Sequence, residues 1–311
     1  MTSPKRLLAP LAVLVALLAL PAGAQAKYTL GVSDQQASTF TNKLFKPLKL
    51  KTARYIAPYD VMSSPVDHRN MDAWLRAART AKVRVLVSFQ HSRQRRKERR
   101  LPSTTEYRRA ITAFHKAYPW VREISPWNEV NRCQTRKDPA GQPTCGKEKR
   151  LAQYYSLTRK VFGKRTTVVA LDVLDEANVS RTLKVIRKFL RYAKPRPKIL
   201  GFHNYSDTNR FSTTRTQAVL RTWKKDVWLT ETGGIVRLGR SFKYSTSRAA
   251  KALGCMFTIA RKYKRVKRLY IYQFNGERKG ARFDAGLIDP KNKKRAGYKV
   301  VQKRKARRCH K

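Results

Sequence analysis

The sequence is poor in acid. Its 311 residues hold 19 Asp and Glu against 71 Lys and Arg, a formal net charge of +52. A chain with so few carboxylates has no acidic tracts, so any carboxylate in an apolar setting stands out. Cysteine is also scarce. Four cysteines in a chain of this length do not make a disulfide-framework mini-protein. No C-x-x-C pair exists, which removes the usual signature of a zinc site. Gly31-Val32-Ser33-Asp34 is not a glycine-rich phosphate loop, and no other stretch is one. Collagen-like periods, heptad runs and base-reading modules are missing too. Past the N-terminus, no apolar run approaches the ~20 residues that a membrane span needs.

The remainder is an ordinary globular composition under an unusual charge. Hydrophobic residues make up 41% and aromatics 10%, enough to build a core and to argue against global disorder. Residues 1–26 read as a secretory signal peptide. Lys5 and Arg6 precede an apolar run from Leu7 to Leu20, and Ala24-Gln25-Ala26 matches a small-x-small cleavage site. A single N-terminal anchor is the competing reading, disfavoured by the short run and the cleavage site. The expected product starts near Lys27, so residues 27–311 form one domain at the cell envelope or outside the cell. In an oxidising compartment four cysteines pair. Three pairings are open. Cys133 with Cys145, bracketing a Pro/Gly-containing loop, and Cys255 with Cys309 are the expected ones.

Eight short β-branched or apolar runs recur along the chain. They are Tyr28–Val32, Thr52–Ala57, Val83–Phe89, Val121–Trp127, Thr166–Leu171, Ile199–His203, Val227–Glu231 and Arg268–Phe274. Helical periodicity fills the intervals at Met71–Lys82, Thr105–Tyr118, Lys149–Phe162, Ser180–Tyr192, Thr214–Trp223 and Ser247–Tyr263. Ser103-Thr104-Thr105-Glu106 is a capping box, and the polar cluster near Asn178 is a second helix start. Eight strand–helix alternations predict parallel strands with helical crossovers, hence an α/β fold, a (β/α)8 TIM barrel. A doubly wound open sheet is the alternative, and the missing phosphate loop speaks against it.

Such a barrel carries its chemistry where strands end at their C-terminal side. Polar residues at those ends include Asp60, His91, Glu129, Asp172, His203, Tyr205, Glu231 and Asn275, with Arg54 inside strand two. Glu129 and Glu231 each follow an apolar run and a nearby tryptophan, in Trp127-Asn128-Glu129 and Trp228-Leu229-Thr230-Glu231. Desolvating a carboxylate there is costly unless partners or function justify it. Two of them at one barrel mouth suit glycoside hydrolysis, which needs one protonated acid and one ionised attacker. Simple neutralisation by the many Arg and Lys residues is the competing explanation.

The segment Ile124-Ser125-Pro126-Trp127-Asn128-Glu129-Val130-Asn131 resembles the strand-four motif of clan A glycoside hydrolases. Trp228-Leu229-Thr230-Glu231-Thr232-Gly233 resembles their strand-seven motif. The resemblance implies a retaining O-glycosidase acting by double displacement on a polysaccharide or oligosaccharide, with Glu129 as acid/base and Glu231 as nucleophile. It implies that Asn128 binds a sugar hydroxyl and that Arg54 orients the nucleophile. It places His91, Trp127, His203, Tyr205 and Tyr272 at the substrate, with Tyr205 bonded to the nucleophile. A nucleophile between Arg54 and a tyrosine hydroxyl is expected to be ionised. An acid beside Trp127, with fewer donors, is expected to have a raised pKa. The chain departs from the clan at strand eight, where a tryptophan platform is common and Tyr270-Ile271-Tyr272-Gln273-Phe274-Asn275 stands instead. Tyr272 or Phe274 is the expected substitute.

No cofactor is implied, and no metal, because neither His91 nor His203 has a second ligand at metal spacing. Arg93–Arg100 (RQRRKERR) and the tail Lys303–Arg308 are densely basic. They read either as attraction for an anionic polysaccharide, a cell-wall polymer or, without sequence specificity, nucleic acid, or as a solvated basic surface. Specific nucleic-acid binding is not expected, and a monomer is. The alternative to an enzyme is a non-catalytic carbohydrate- or anionic-polymer-binding barrel at the cell envelope.

Overall fold

A computed structural model describes residues 28–309. The expected signal peptide lies outside the described residues. Eight parallel strands close into a barrel in sequence order. They are Thr29–Ser33, Thr52–Pro58, Arg84–Gln90, Glu123–Ser125, Thr167–Leu174, Ile199–His203, Asp226–Thr232 and Val266–Ile271, called strands one to eight below. The barrel closes where strand one pairs with strand eight, Thr29 opposite Arg268. This is the (β/α)8 architecture that the alternation predicted.

The helices follow from local chemistry. Helix Thr104–Ala117 starts at the expected capping box, with Ser103 and Glu106 bonded reciprocally. Asn178 caps helix Val179–Tyr192 by accepting from the Ser180 N–H. Helix Pro65–Thr80 begins six residues before the periodicity suggested. Its first turn is polar, but Ser64 accepts from the Asp67 N–H and Pro65 occupies the first position. The apolar helix faces pack against the barrel, with Trp74, Tyr107, Phe114, Tyr154 and Phe189 fully buried. No described helix is long and apolar enough to cross a membrane.

Strand four is shorter than its apolar run, ending at Ser125, so Trp127 to Glu129 lie in the loop beyond it. Strand eight ends at Ile271 rather than Phe274. Strands seven and eight both feed a two-stranded antiparallel ribbon, Arg237–Leu238 with Phe283–Asp284, which sequence periodicity did not suggest. Asp284 anchors that ribbon through two bonds from Arg295, both 2.7 Å. The cysteines pair as expected, Cys133 with Cys145 and Cys255 with Cys309.

Candidate active site

The strand ends converge on a cavity of about 950 Å³. Glu129, Glu231, Asn128, His91, Tyr205 and Tyr272 line it. Arg54 lies fully buried beneath and organises the floor of this mouth. Its guanidinium donates to Glu231 Oε1 at 2.6 Å, Asn128 Oδ1 at 2.6 Å, Asp172 Oδ2 at 2.8 Å and Ser88 Oγ at 2.9 Å. One rigid cation therefore ties together residues of four strands or the loops that follow them, a task suited to the fixed fork of arginine.

Asp172, on strand five, is the second organiser. It is fully buried and takes Arg54 on one oxygen and the Thr230 hydroxyl on the other. Space for it comes from Gly201 on strand six, where a Cβ would lie 2.3 Å from Asp172 Oδ1. Burial raises the pKa of this carboxyl, but the charges of His203 and Arg54 outweigh that and bring it down to about 2. The sequence marks Asp172 as a polar strand-end residue without giving it a role; in the structure it lies inside strand five, two residues before its end.

His203 is paired in register with Glu231. Its Nδ1 donates to Glu129 Oε1 at 3.0 Å and lies 3.7 Å from Glu231 Oε2. Its Nε2 lies 3.1 Å from Asp172 Oδ1, close enough for charge pairing but outside hydrogen-bond alignment. Burial disfavours the imidazolium, yet Glu231 and Asp172 more than compensate and push its pKa up to about 10. Donor atoms of Glu129, His203 and Glu231 lie within 4.8 Å of one another, a spacing a metal ion would accept. The expectation that His203 has no second ligand at metal spacing is thereby corrected, because the loop after strand four and the end of strand seven bring both glutamates to it.

Glu129 sits at φ +43°, in the left-handed region. A non-glycine residue there costs about 1–3 kcal/mol and persists only when its surroundings hold it. The Arg132 N–H bonds back to the Glu129 carbonyl, and the next N–H, of Val130, bonds to the Asp172 carbonyl. The side chain is held as firmly, by His203 on Oε1 and Arg132 on Oε2 at 3.1 Å. Burial raises its pKa, but the His203 bond and charge, with Arg132 behind them, leave it lowered. The expectation of a raised value is therefore overturned. The reason is two cationic donors that the sequence did not reveal, one across the barrel and one on the next loop.

Glu231 takes Arg54 on one oxygen and the Tyr205 hydroxyl on the other at 3.1 Å. Burial and the nearby Glu231 charge raise the Tyr205 pKa well above its usual range, so the phenol stays a donor. Tyr272 reaches the cavity. Phe274 does not, being buried against Phe45 with ring centroids 5.7 Å apart. Trp127, expected at the substrate, is 1% exposed and packs against Tyr154 and Tyr59 behind the cavity wall. Its indole donates to Gln142 Oε1, and that glutamine lines the cavity in its place. The early end of strand four turns Trp127 into the core.

Gln142 belongs to the disulfide-closed loop, which supplies one wall through Lys137, Asp138, Ala140 and Gln142. Within it Asp138 takes a two-pronged bond from Arg132 at 2.7 and 2.8 Å, which holds Arg132 against Glu129. Asp175 also lines the cavity. Burial pushes its carboxyl well up, and one oxygen accepts from the Ser206 N–H next to Tyr205. The basic run after strand three does not line this cavity. Arg93 pairs with Asp67 and Arg100 with Glu106 instead.

This barrel is the fold of the clan A glycoside hydrolases. Its structural neighbours belong to glycoside hydrolase families 5, 39 and 10. A family 5 (subfamily 18) protein from Streptomyces cattleya, solved with GlcNAc, superposes with a TM-score of 0.63 at 12% identity, covering 90% of this chain and 80% of that one. A family 39 hydrolase from Bacteroides cellulosilyticus gives 0.64 at 15% identity, covering 89% and 63%. A psychrophilic family 10 endo-β-1,4-xylanase gives 0.64 at 11%, covering 89% and 97%. At these identities the likeness is one of fold. No family model matches the sequence, and no curated protein does.

Proposed function

We propose that this chain is a secreted or cell-envelope retaining O-glycoside hydrolase acting on a polysaccharide or oligosaccharide. The observation that carries the reading is the spacing of Glu129 and Glu231. Carboxylate oxygens of the two lie within 4.8 Å of each other at the cavity surface. Retaining enzymes hold their carboxyl groups ~5–5.5 Å apart, whereas inverting enzymes leave ~6.5–9.5 Å for a water. Glu231, fixed by Arg54 and Tyr205, is the nucleophile that attacks the anomeric carbon. Glu129 gives its proton to the leaving oxygen, then takes one from the incoming water. His203 and Arg132 favour its ionised form, which suits the second role directly and the first under acidic conditions. Asn128, its carbonyl oxygen held by Arg54, presents its amide to a sugar hydroxyl. The glycosidase neighbours and the paired cysteines support the reading.

The test is Glu231→Gln against a panel of polysaccharides that the wild type degrades. The expected result is a loss of turnover of roughly a thousandfold or more with unchanged circular dichroism and melting. Turnover at the wild-type level in that variant overturns the reading. The two cations on Glu129 also favour a second reading, a non-catalytic barrel that binds carbohydrate. It predicts saturable binding, no sugar release, and binding unchanged in Glu129→Gln.

A further inference from the structure

The cavity is not neutralised evenly. Three of its four carboxylates have cations: Glu231 has Arg54, and Glu129 and Asp138 share Arg132, while Asp175 accepts backbone N–H bonds from Ser206 and Asp207 instead. Several of its cations have no carboxylate. Lys137, Arg210 and Arg282 line the cavity, are exposed, and form no ion pair among the described residues. In a chain this basic, an unpaired surface arginine means little. Arg210 and Arg282 differ in being built into a wall.

Arg210 ends the short helix Tyr205–Asn209 that carries Tyr205. Its guanidinium lies over the Phe242 ring, 5.4 Å from the centroid. The same ring packs against Arg248, at 4.5 Å. Phe242 is itself fixed by two backbone bonds with Leu238, on the ribbon. Arg282 is on the partner strand side of that ribbon, its carbonyl accepting from the Gly239 N–H. Next to it Phe283 touches Tyr205 and Tyr272, and Asp284 is bolted to Arg295. The short helix and the ribbon thus bring Arg210, Arg282 and the rings of Phe242 and Phe283 to the wall of one cavity, beside the nucleophile's tyrosine. A guanidinium held by its face on an aromatic ring keeps its N–H edge free for a planar anion.

We propose that the substrate is an acidic glycan, and that Arg210 and Arg282 hold the carboxylate of one of its sugar residues. The assignment rests on the glycosidase reading and gives it a substrate class. Arginine forks match carboxylates two-pronged, and the Phe242 ring already restricts Arg210, so that side chain loses less freedom on binding. A cavity near the upper end of the usual ligand-site range takes several sugar units, so one acidic unit can sit on the ribbon while a bond is cut at Glu231.

The experiment compares uronic-acid polysaccharides with the same polymers after carboxyl reduction, at 0.15 M salt. Arg210→Ala/Arg282→Ala is set beside Lys184→Ala/Arg187→Ala, which removes equal charge from exposed positions of helix Val179–Tyr192 that do not line the cavity. The expected result is a loss of roughly tenfold or more in affinity for the acidic polymer in the first variant alone, with the reduced polymer bound equally by all proteins. Equal losses in both variants overturn the proposal, because the net charge would then do the holding. Preference for the reduced polymer, or for sulfated or phosphorylated glycans that carry no carboxylate, also overturns it. Cleavage of neutral polymers with no acidic preference would leave the glycosidase standing and remove this inference. Selective binding through Arg210 and Arg282 without cleavage would do the reverse.

Discussion

The barrel is crossed by an arginine at each end, and the two ends put it to different use. At the bottom, Arg268 on strand eight reaches across the interior to Glu123 on strand four, and its guanidinium covers the Trp228 ring at 3.8 Å. Leu86, Val169, Trp228 and Tyr270 pack into a small apolar cluster around them. That pair faces rings and aliphatic groups on its inner side, while Arg84, on the outer side, lies 3.6 Å from the other Glu123 oxygen. At the mouth, Arg54 reaches Glu231, Asn128 and Asp172, and His203 joins Glu129 to the same network. Here two of the carboxylates open onto a cavity. Buried charge by itself is therefore no mark of a site. The mark is a paired carboxylate with one face left open and a neighbour of the same kind at bonding range.

The mouth should break more expensively than the bottom. Arg54→Met removes one of the two cations shared by Glu231 and Asp172 and leaves them with His203 alone. Breaking a buried pair from one side costs about 3–5 kcal/mol. Urea unfolding should show a loss of that order, and turnover should vanish even where the variant is fully folded.

The mouth should also carry a pH dependence set by His203 and Asp172. His203 ordinarily titrates at 6.5 and here is pushed up to about 10. A group raised on folding contributes stability that is full below its unfolded pKa and lost as pH rises through the folded one. Stability should therefore decline between pH 6.5 and about 10. Asp172, lowered from 3.8 to about 2, works in the other direction: its contribution is present above 3.8 and lost as pH falls through about 2. Melting temperature measured across pH should show a plateau between these windows. In His203→Gln the alkaline decline should be much reduced.

The sequence made most of this geometry readable, for a physical reason. Strand–helix alternation is written in periodicity, and a closed parallel barrel follows from eight repeats of it. Glu129 and Glu231 stood out because carboxylates after apolar runs are few in so basic a chain, whereas Arg54 and Tyr205 were marked by the resemblance to the clan A motifs. The unread parts depend on contacts between distant segments. Asp172 needed knowledge that Gly201 opens space beside it. Arg132 looked like any of 71 basic residues until Asp138 fixed it against Glu129. The ribbon bearing Arg282 and Phe283 has two-residue strands, too short for any alternation to register. Trp127 was misplaced because strand four stops at Ser125, two residues before its apolar run does.

The smallest expected effect lies at the bottom of the barrel and sharpens the comparison most. Glu123→Gln keeps the shape of the side chain and removes only its charge. Arg268 would still have the Trp228 face and the Tyr270 hydroxyl at 3.2 Å. A weakened hydrogen-bonded pair with both groups still partnered should cost about 1–2 kcal/mol. Nothing links Glu123 to the cavity, whose lining begins at the opposite strand ends. Turnover and its pH profile should therefore match the wild type while the melting temperature falls by a few degrees. A fall in turnover would mean that the two arginine crossings are mechanically coupled through the strands between them. The mouth would then owe its geometry to the whole barrel interior rather than to Arg54, Asp172 and His203.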